Sequence, residues 1–156
     1  MFECVVSGER RQESLGRQLA ELIEPPCNLF LQGDLAAGKT TLARGFLRGL
    51  GYEGRVKSPT YTLMEPYEMQ GVACYHFDLY RLSDPEELLF LGLDDLQRED
   101  AVWLVEWPER GEGVLPQADL TICISHQGEA RVLEFTPHSK KGRQIINNLQ
   151  EVWSGD

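Results

Sequence analysis

The segment Gly33-Asp34-Leu35-Ala36-Ala37-Gly38-Lys39-Thr40 constrains this chain more than any other part of it. It follows a short apolar run, Leu29-Phe30-Leu31, and precedes a helical pattern from Thr40 to Leu50 that Gly49 and Gly51 close. A glycine-framed loop between a buried strand and a helix turns successive backbone N–H groups inward as an anion nest. The helix start adds its positive dipole end. In that context Gly-x-x-x-x-Gly-Lys-Thr is the Walker A phosphate loop. Gly33, Ala37, Gly38 and Lys39 are therefore expected to bind a nucleoside triphosphate, with Lys39 reaching its β- and γ-phosphates. Thr40 is expected to ligate Mg2+, a hard cation that keeps several of its waters. Thr41 is expected on the α-phosphate side.

The rest of the chain reads as alternating strands and helices around that loop. Residues 2–6 suit a first strand. In residues 10–23, Leu15, Leu19, Leu22 and Ile23 share one helical stripe, which Pro25 and Pro26 end. Ser58-Pro59-Thr60 is a turn signal. Runs 61–67 and 72–80 predict a hairpin with a longer loop through Glu68-Met69-Gln70-Gly71. Ser83 or Asp84 caps a helix with Pro85 at its start. Val102-Trp103-Leu104-Val105 is a buried strand, residues 120–124 and 130–135 a β-pair, and Ile145 to Trp153 a closing amphipathic helix. The prediction is an α/β fold: one P-loop domain over residues 1–156, with a mixed sheet flanked by helices.

A magnesium site needs a carboxylate, and in P-loop proteins it ends an apolar strand. Glu106 and Asp78 both qualify. The preferred reading gives Glu106 to the metal and Asp78 to the attacking water. Thr60 lies where a γ-phosphate or Mg2+ sensor could sit, although an ordinary proline turn explains the same residues. His76 is read as a packed strand residue. The guanine-reading Asn-Lys-x-Asp motif is absent, since Asn28, Asn147 and Asn148 are not followed by Lys. ATP is the expected nucleotide.

Composition narrows the surroundings. The formal net charge of -10 argues against a chain that grips nucleic acid over a broad face. Four scattered cysteines, with no C-x-x-C pair, suit buried apolar positions better than zinc or disulfides. No signal peptide or membrane span is apparent, so a cytoplasmic location is expected.

Taken together, Gly33 to Thr41, Lys57-Ser58-Pro59-Thr60-Tyr61-Thr62-Leu63, His76-Phe77-Asp78-Leu79-Tyr80-Arg81-Leu82 and Glu106-Trp107-Pro108 resemble the TsaE family. The resemblance runs from about Leu15 to Leu133. It implies a small bacterial ATPase of tRNA threonylcarbamoyladenosine synthesis that acts with TsaB and TsaD, slow without them, monomeric when isolated, and reaching tRNA only through the complex. It implies Thr40 and Glu106 for Mg2+, Lys39 for phosphates, Thr60 in a switch region, Asp78 for hydrolysis, and Glu9 near the adenine. One departure is Ala36, where the family usually has Gly. If that position needs positive φ, Ala costs on the order of 1 kcal/mol.

Two other function classes compete. A small-molecule kinase would share the loop but add a lid with clustered arginines. Arg55, Arg81, Arg98, Arg110, Arg131 and Arg143 are scattered along the sequence. A nucleotide-dependent scaffold would bind without useful turnover.

Overall fold

The computed structural model describes residues 1–34, 36–69, 71–97 and 100–153. Among them, a seven-stranded sheet runs in the order β1-β7-β6-β2-β5-β4-β3. Its strands are β1 Phe2–Ser7, β2 Cys27–Gln32, β3 Met64–Met69, β4 Val72–Asp78, β5 Ala101–Glu106, β6 Leu120–Gln127 and β7 Ala130–Pro137. The middle four, β6, β2, β5 and β4, are parallel. The outer pairings, β1 with β7, β7 with β6, and β3 with β4, are antiparallel. The expected mixed sheet is therefore present, with its parallel part at the centre. Every residue of β5 is buried, as a central strand covered on both faces requires.

Helices α1 (Glu9–Glu21), α2 (Lys39–Leu50) and α4 (Lys140–Val152) supply the larger core. Leu15, Leu19, Leu42, Phe46 and Leu149 pack there with Leu29, Leu31 and Leu104 of the sheet. Glycines let α1 and α2 meet backbone to backbone. A Cβ on Gly45 would stand 1.9 Å from the Glu13 carbonyl oxygen, and one on Gly16 would stand 2.3 Å from that of Leu42. No side chain fits at either place, so this close crossing sets how α1 faces the start of α2.

The opposite face is covered over β4 and β5. There Tyr75, Phe77, Trp103 and Val105 pack against Leu79, Leu82, Leu88 and Leu93. The covering segment is a 3-10 helix, Pro85–Leu91, followed by the short α3, Leu93–Gln97. Asp84 caps it: its side chain accepts from the Glu86 amide, and Glu87 reaches back in a capping box. The expected start is correct and the helix type is not. Gly92, with φ 76°, closes the turn after only seven residues.

Three further expectations are corrected. The hairpin loop is short, because Met69 pairs directly with Val72 and Gly71 takes φ 83°; Gln70 lies outside the described residues. The first hairpin strand starts at Met64 rather than residue 61, because the chain from Pro59 is still turning. Cys27 and Cys74 are buried as expected, but Cys123 is exposed and Cys4 half-buried. Cys123 lies on the face of β6 opposite the buried Ile122 and Ile124.

Candidate functional site

The parallel strands β2, β4 and β5 all end on one edge of the sheet, the edge where open α/β sheets bind ligands. The phosphate loop leaves β2 there, and α2 begins at Lys39. Gly33 and Gly38 have φ 150° and 102°, and Ala36 has φ 65°. Ala36 thus carries the left-handed backbone that its family departure made costly.

Outside side chains hold the loop. Gln12 of α1 is buried and donates to the carbonyls of Gly38 at 2.8 Å and Ala37 at 3.4 Å. Arg131 of β7 donates to the Ala37 carbonyl at 3.2 Å. Neither was expected from the sequence. Gln12 carried a signal: it stands one helical turn before Leu15, as a polar residue on the apolar stripe. Arg131 carried none, because only the antiparallel return of β7 brings it back.

Lys39 is almost wholly buried, at 5% exposure. Its Nζ donates to the Gly33 carbonyl at 2.5 Å and the Asp34 carbonyl at 2.8 Å. It also sits 4.5 Å from the centre of the Trp107 ring. Burial lowers the lysine pKa from its ordinary value, and Glu106, Asp78, Glu109 and Asp34 oppose that shift. Those carboxylates favour the charged ammonium, against the burial that disfavours it.

Asp78 and Glu106 are register partners at the ends of β4 and β5. Both are buried. The Asp78 carboxylate is held by two donors, the Tyr80 amide at 3.0 Å and the Thr60 hydroxyl at 3.3 Å. Thr60 in turn bonds Ser58 at 2.8 Å. The Ser58-Pro59-Thr60 turn thus touches the site through Asp78. Leu63, at φ 68°, closes that turn by bonding its amide to the Pro59 carbonyl. Glu106 accepts from His76 Nε2 at 2.6 Å, between two buried side chains. His76 is packed as expected, yet it also makes this contact, which the sequence reading missed.

Trp107 takes φ 58°, uncommon for a bulky residue. Its amide donates to Leu31 and its ring lies 5.0 Å from that of Tyr80. On the other side of the loop, Glu9 accepts from the Thr41 hydroxyl at 3.4 Å. Glu9, Gln12, Gly38, Thr41, Glu129 and Arg131 are among the residues lining an adjoining pocket of about 280 Å³.

The donor chemistry fits magnesium. Thr40 is exposed at the start of α2, and Glu106 and Asp78 supply hard oxygens. Among the described residues no cluster of three or more His, Cys, Asp or Glu could by itself hold a metal.

The family model described as "Threonylcarbamoyl adenosine biosynthesis protein TsaE" matches residues 6–133. The chain belongs to the TsaE family. A TsaE protein of Haemophilus influenzae is 47% identical over 85% of this chain and 87% of its own length. One from Bacillus subtilis is 40% identical over 88% and 86% respectively. A crystal structure of Bacillus subtilis YdiB superposes with a TM-score of 0.83 at 30% identity, covering 96% of this chain and 94% of that one. Among the described residues, no helix is long and apolar enough to cross a membrane.

Proposed function

We propose that this TsaE protein binds and hydrolyses ATP with Mg2+, and that it does so in concert with TsaB and TsaD. Its place in tRNA threonylcarbamoyladenosine biosynthesis follows from family membership and is the role named for its relatives. The observation that carries the ATPase reading is that the loop bearing Lys39 and the register-paired carboxylates Asp78 and Glu106 lie at the same edge of the sheet.

Each residue then has a task. The loop amides and Lys39 hold the phosphates, Lys39 exchanging the Gly33 and Asp34 carbonyls for phosphate oxygens. Thr40 and Glu106 hold Mg2+, which when bound offsets phosphate charge and orients the reacting oxygens. Asp78, fixed by Tyr80 and Thr60, orients the attacking water and takes up its proton. Thr60 links that carboxylate to the turn, so a change in the turn is felt at Asp78. Glu9 and the pocket beside Thr41 take the adenine end. tRNA is approached through TsaB and TsaD, consistent with the net charge of -10.

The test is phosphate release from ATP by the full chain with Mg2+, alone and with TsaB and TsaD. Slow release alone and faster release with the partners is expected. No release under either condition would leave the chain a binding scaffold. Transfer of the phosphoryl group to a metabolite would make it a kinase.

A further inference from the structure

The chemistry assigned above uses Lys39, Thr40, Thr60, Asp78 and Glu106, but not the buried imidazole beside them. His76 is fully buried, at 0% exposure, and so is nearly everything around it. It lies on β4 two residues before Asp78, on the same face of the strand. Its register partner on β5 is Leu104, two residues before Glu106. The imidazole therefore reaches diagonally across the strand pair to the Glu106 carboxylate, the geometry by which long side chains meet between neighbouring strands. Contact is 2.6 Å, from Nε2 to Oε2.

Burying a polar ring in this core is costly unless it is paired. His76 is only half paired: Nδ1 has no hydrogen-bond partner. An apolar residue would fill the position, as Leu104 does on the next strand, without leaving an orphaned nitrogen. The one bond that His76 makes is thus its distinguishing contribution. Ionised Glu106 can only accept, so Nε2 carries the proton. The donor pins Oε2 and so restrains the carboxylate rotamer.

We propose that His76 is a positioning residue, which through its Nε2–H bond orients Glu106 to receive Mg2+. The inference rests on the Mg2+·ATP reading of the site. Partners of this kind, bonded to a metal-binding carboxylate, typically change metal affinity by about 10–100-fold when removed.

The experiment measures ATP affinity of the full chain by calorimetry across a Mg2+ titration, and thermal stability beside it. His76→Leu fills the space without a donor. His76→Gln places an amide N–H near the same reach. His76→Leu is expected to keep its fold and its ATP affinity without Mg2+, while the Mg2+ concentration giving half of the affinity gain rises about tenfold. His76→Gln should recover most of that shift. Glu106→Gln should also raise the Mg2+ requirement, and adding His76→Leu to it should change nothing further, since the two act as one unit. Additive shifts, or a His76→Leu titration matching wild type, would overturn the proposal. So would equal impairment of the Leu and Gln variants in step with lost thermal stability, which marks a packing role. A wild-type affinity indifferent to Mg2+ would instead strike the underlying reading, and the proposal with it.

Discussion

The phosphate loop and the turn at Ser58-Pro59-Thr60 flank the same carboxylates but are held very differently. The loop is clamped from three directions: Gln12 from α1, Arg131 from β7 and Lys39 from its own helix. The Gly16 and Gly45 crossing fixes the helix that carries Gln12. The turn has far less. Its links to the site are the Thr60 hydroxyl on the Asp78 carboxylate, at 3.3 Å, and the Asp78 amide on the Leu63 carbonyl, at 3.0 Å, and the neighbouring Tyr61 is 81% exposed. A clamped anion nest binds phosphates with little reorganisation. A lightly held turn can change position when something new contacts it, as switch segments do. The contrast teaches a division of labour: rigid backbone for binding, a loosely tethered hydroxyl for responding.

That division predicts where mutations show. Asp78→Asn keeps the Tyr80 contact but weakens the acceptor for Thr60 and removes the base. Turnover with the partners present should fall by about a hundredfold or more, with ATP affinity retained. A parallel loss of affinity would mean that Asp78 belongs to the clamp. Gln12→Ala should act the other way. It removes the side-chain donor from the Gly38 carbonyl, which keeps the Leu42 amide, so the loss is that of a net hydrogen bond, roughly 0.5–1.5 kcal/mol. ATP affinity and thermal stability should both drop, while turnover of bound ATP holds. If only turnover changes, the clamp is not what Gln12 provides.

Ala36→Gly is a smaller change and runs in the stabilising direction. It removes the left-handed cost at φ 65°, about 1 kcal/mol. The melting temperature should rise by roughly 2–4 °C. A fall would show that the loop takes another backbone in solution.

The smallest effect is chemical. Burial pushes the Cys27 and Cys74 thiols up to about 12, and Cys4 up to about 11. A raised thiol pKa keeps the reactive thiolate scarce until pH approaches it, so at pH 8 these residues should resist alkylation in the folded chain. Cys123 is also raised, by burial and by Glu134 and Glu109, yet it is exposed. It should react first, and slowly. Mass spectrometry after brief alkylation checks the order.

Local chemistry accounts for what the sequence made legible. The loop, β2, β5, both acids and the Asp84 cap depend on residues close together in the chain. Hairpin details failed where a two-residue connection competed with a turn that Leu63 extends at positive φ. Side chains that act across the fold were hidden. Arg131 reaches the loop only because β7 folds back beside β6, and His76 meets Glu106 only because β4 and β5 pair in one register. No spacing in the sequence encodes those meetings. The Gln12 signal was visible as a polar break in an apolar stripe, but its partner was not.

The central claim is that the Lys39 loop is the site where ATP binds with Mg2+. Calorimetric titration of ATP·Mg2+ into wild type and Lys39→Ala tests it most directly. Lys39 supplies a mobile charge there, and charged hydrogen bonds contribute about 1.5–3 kcal/mol each. Two such bonds predict that affinity falls by a hundredfold or more, with the variant still folded by circular dichroism. A folded Lys39→Ala chain that binds ATP as tightly as wild type would contradict the account.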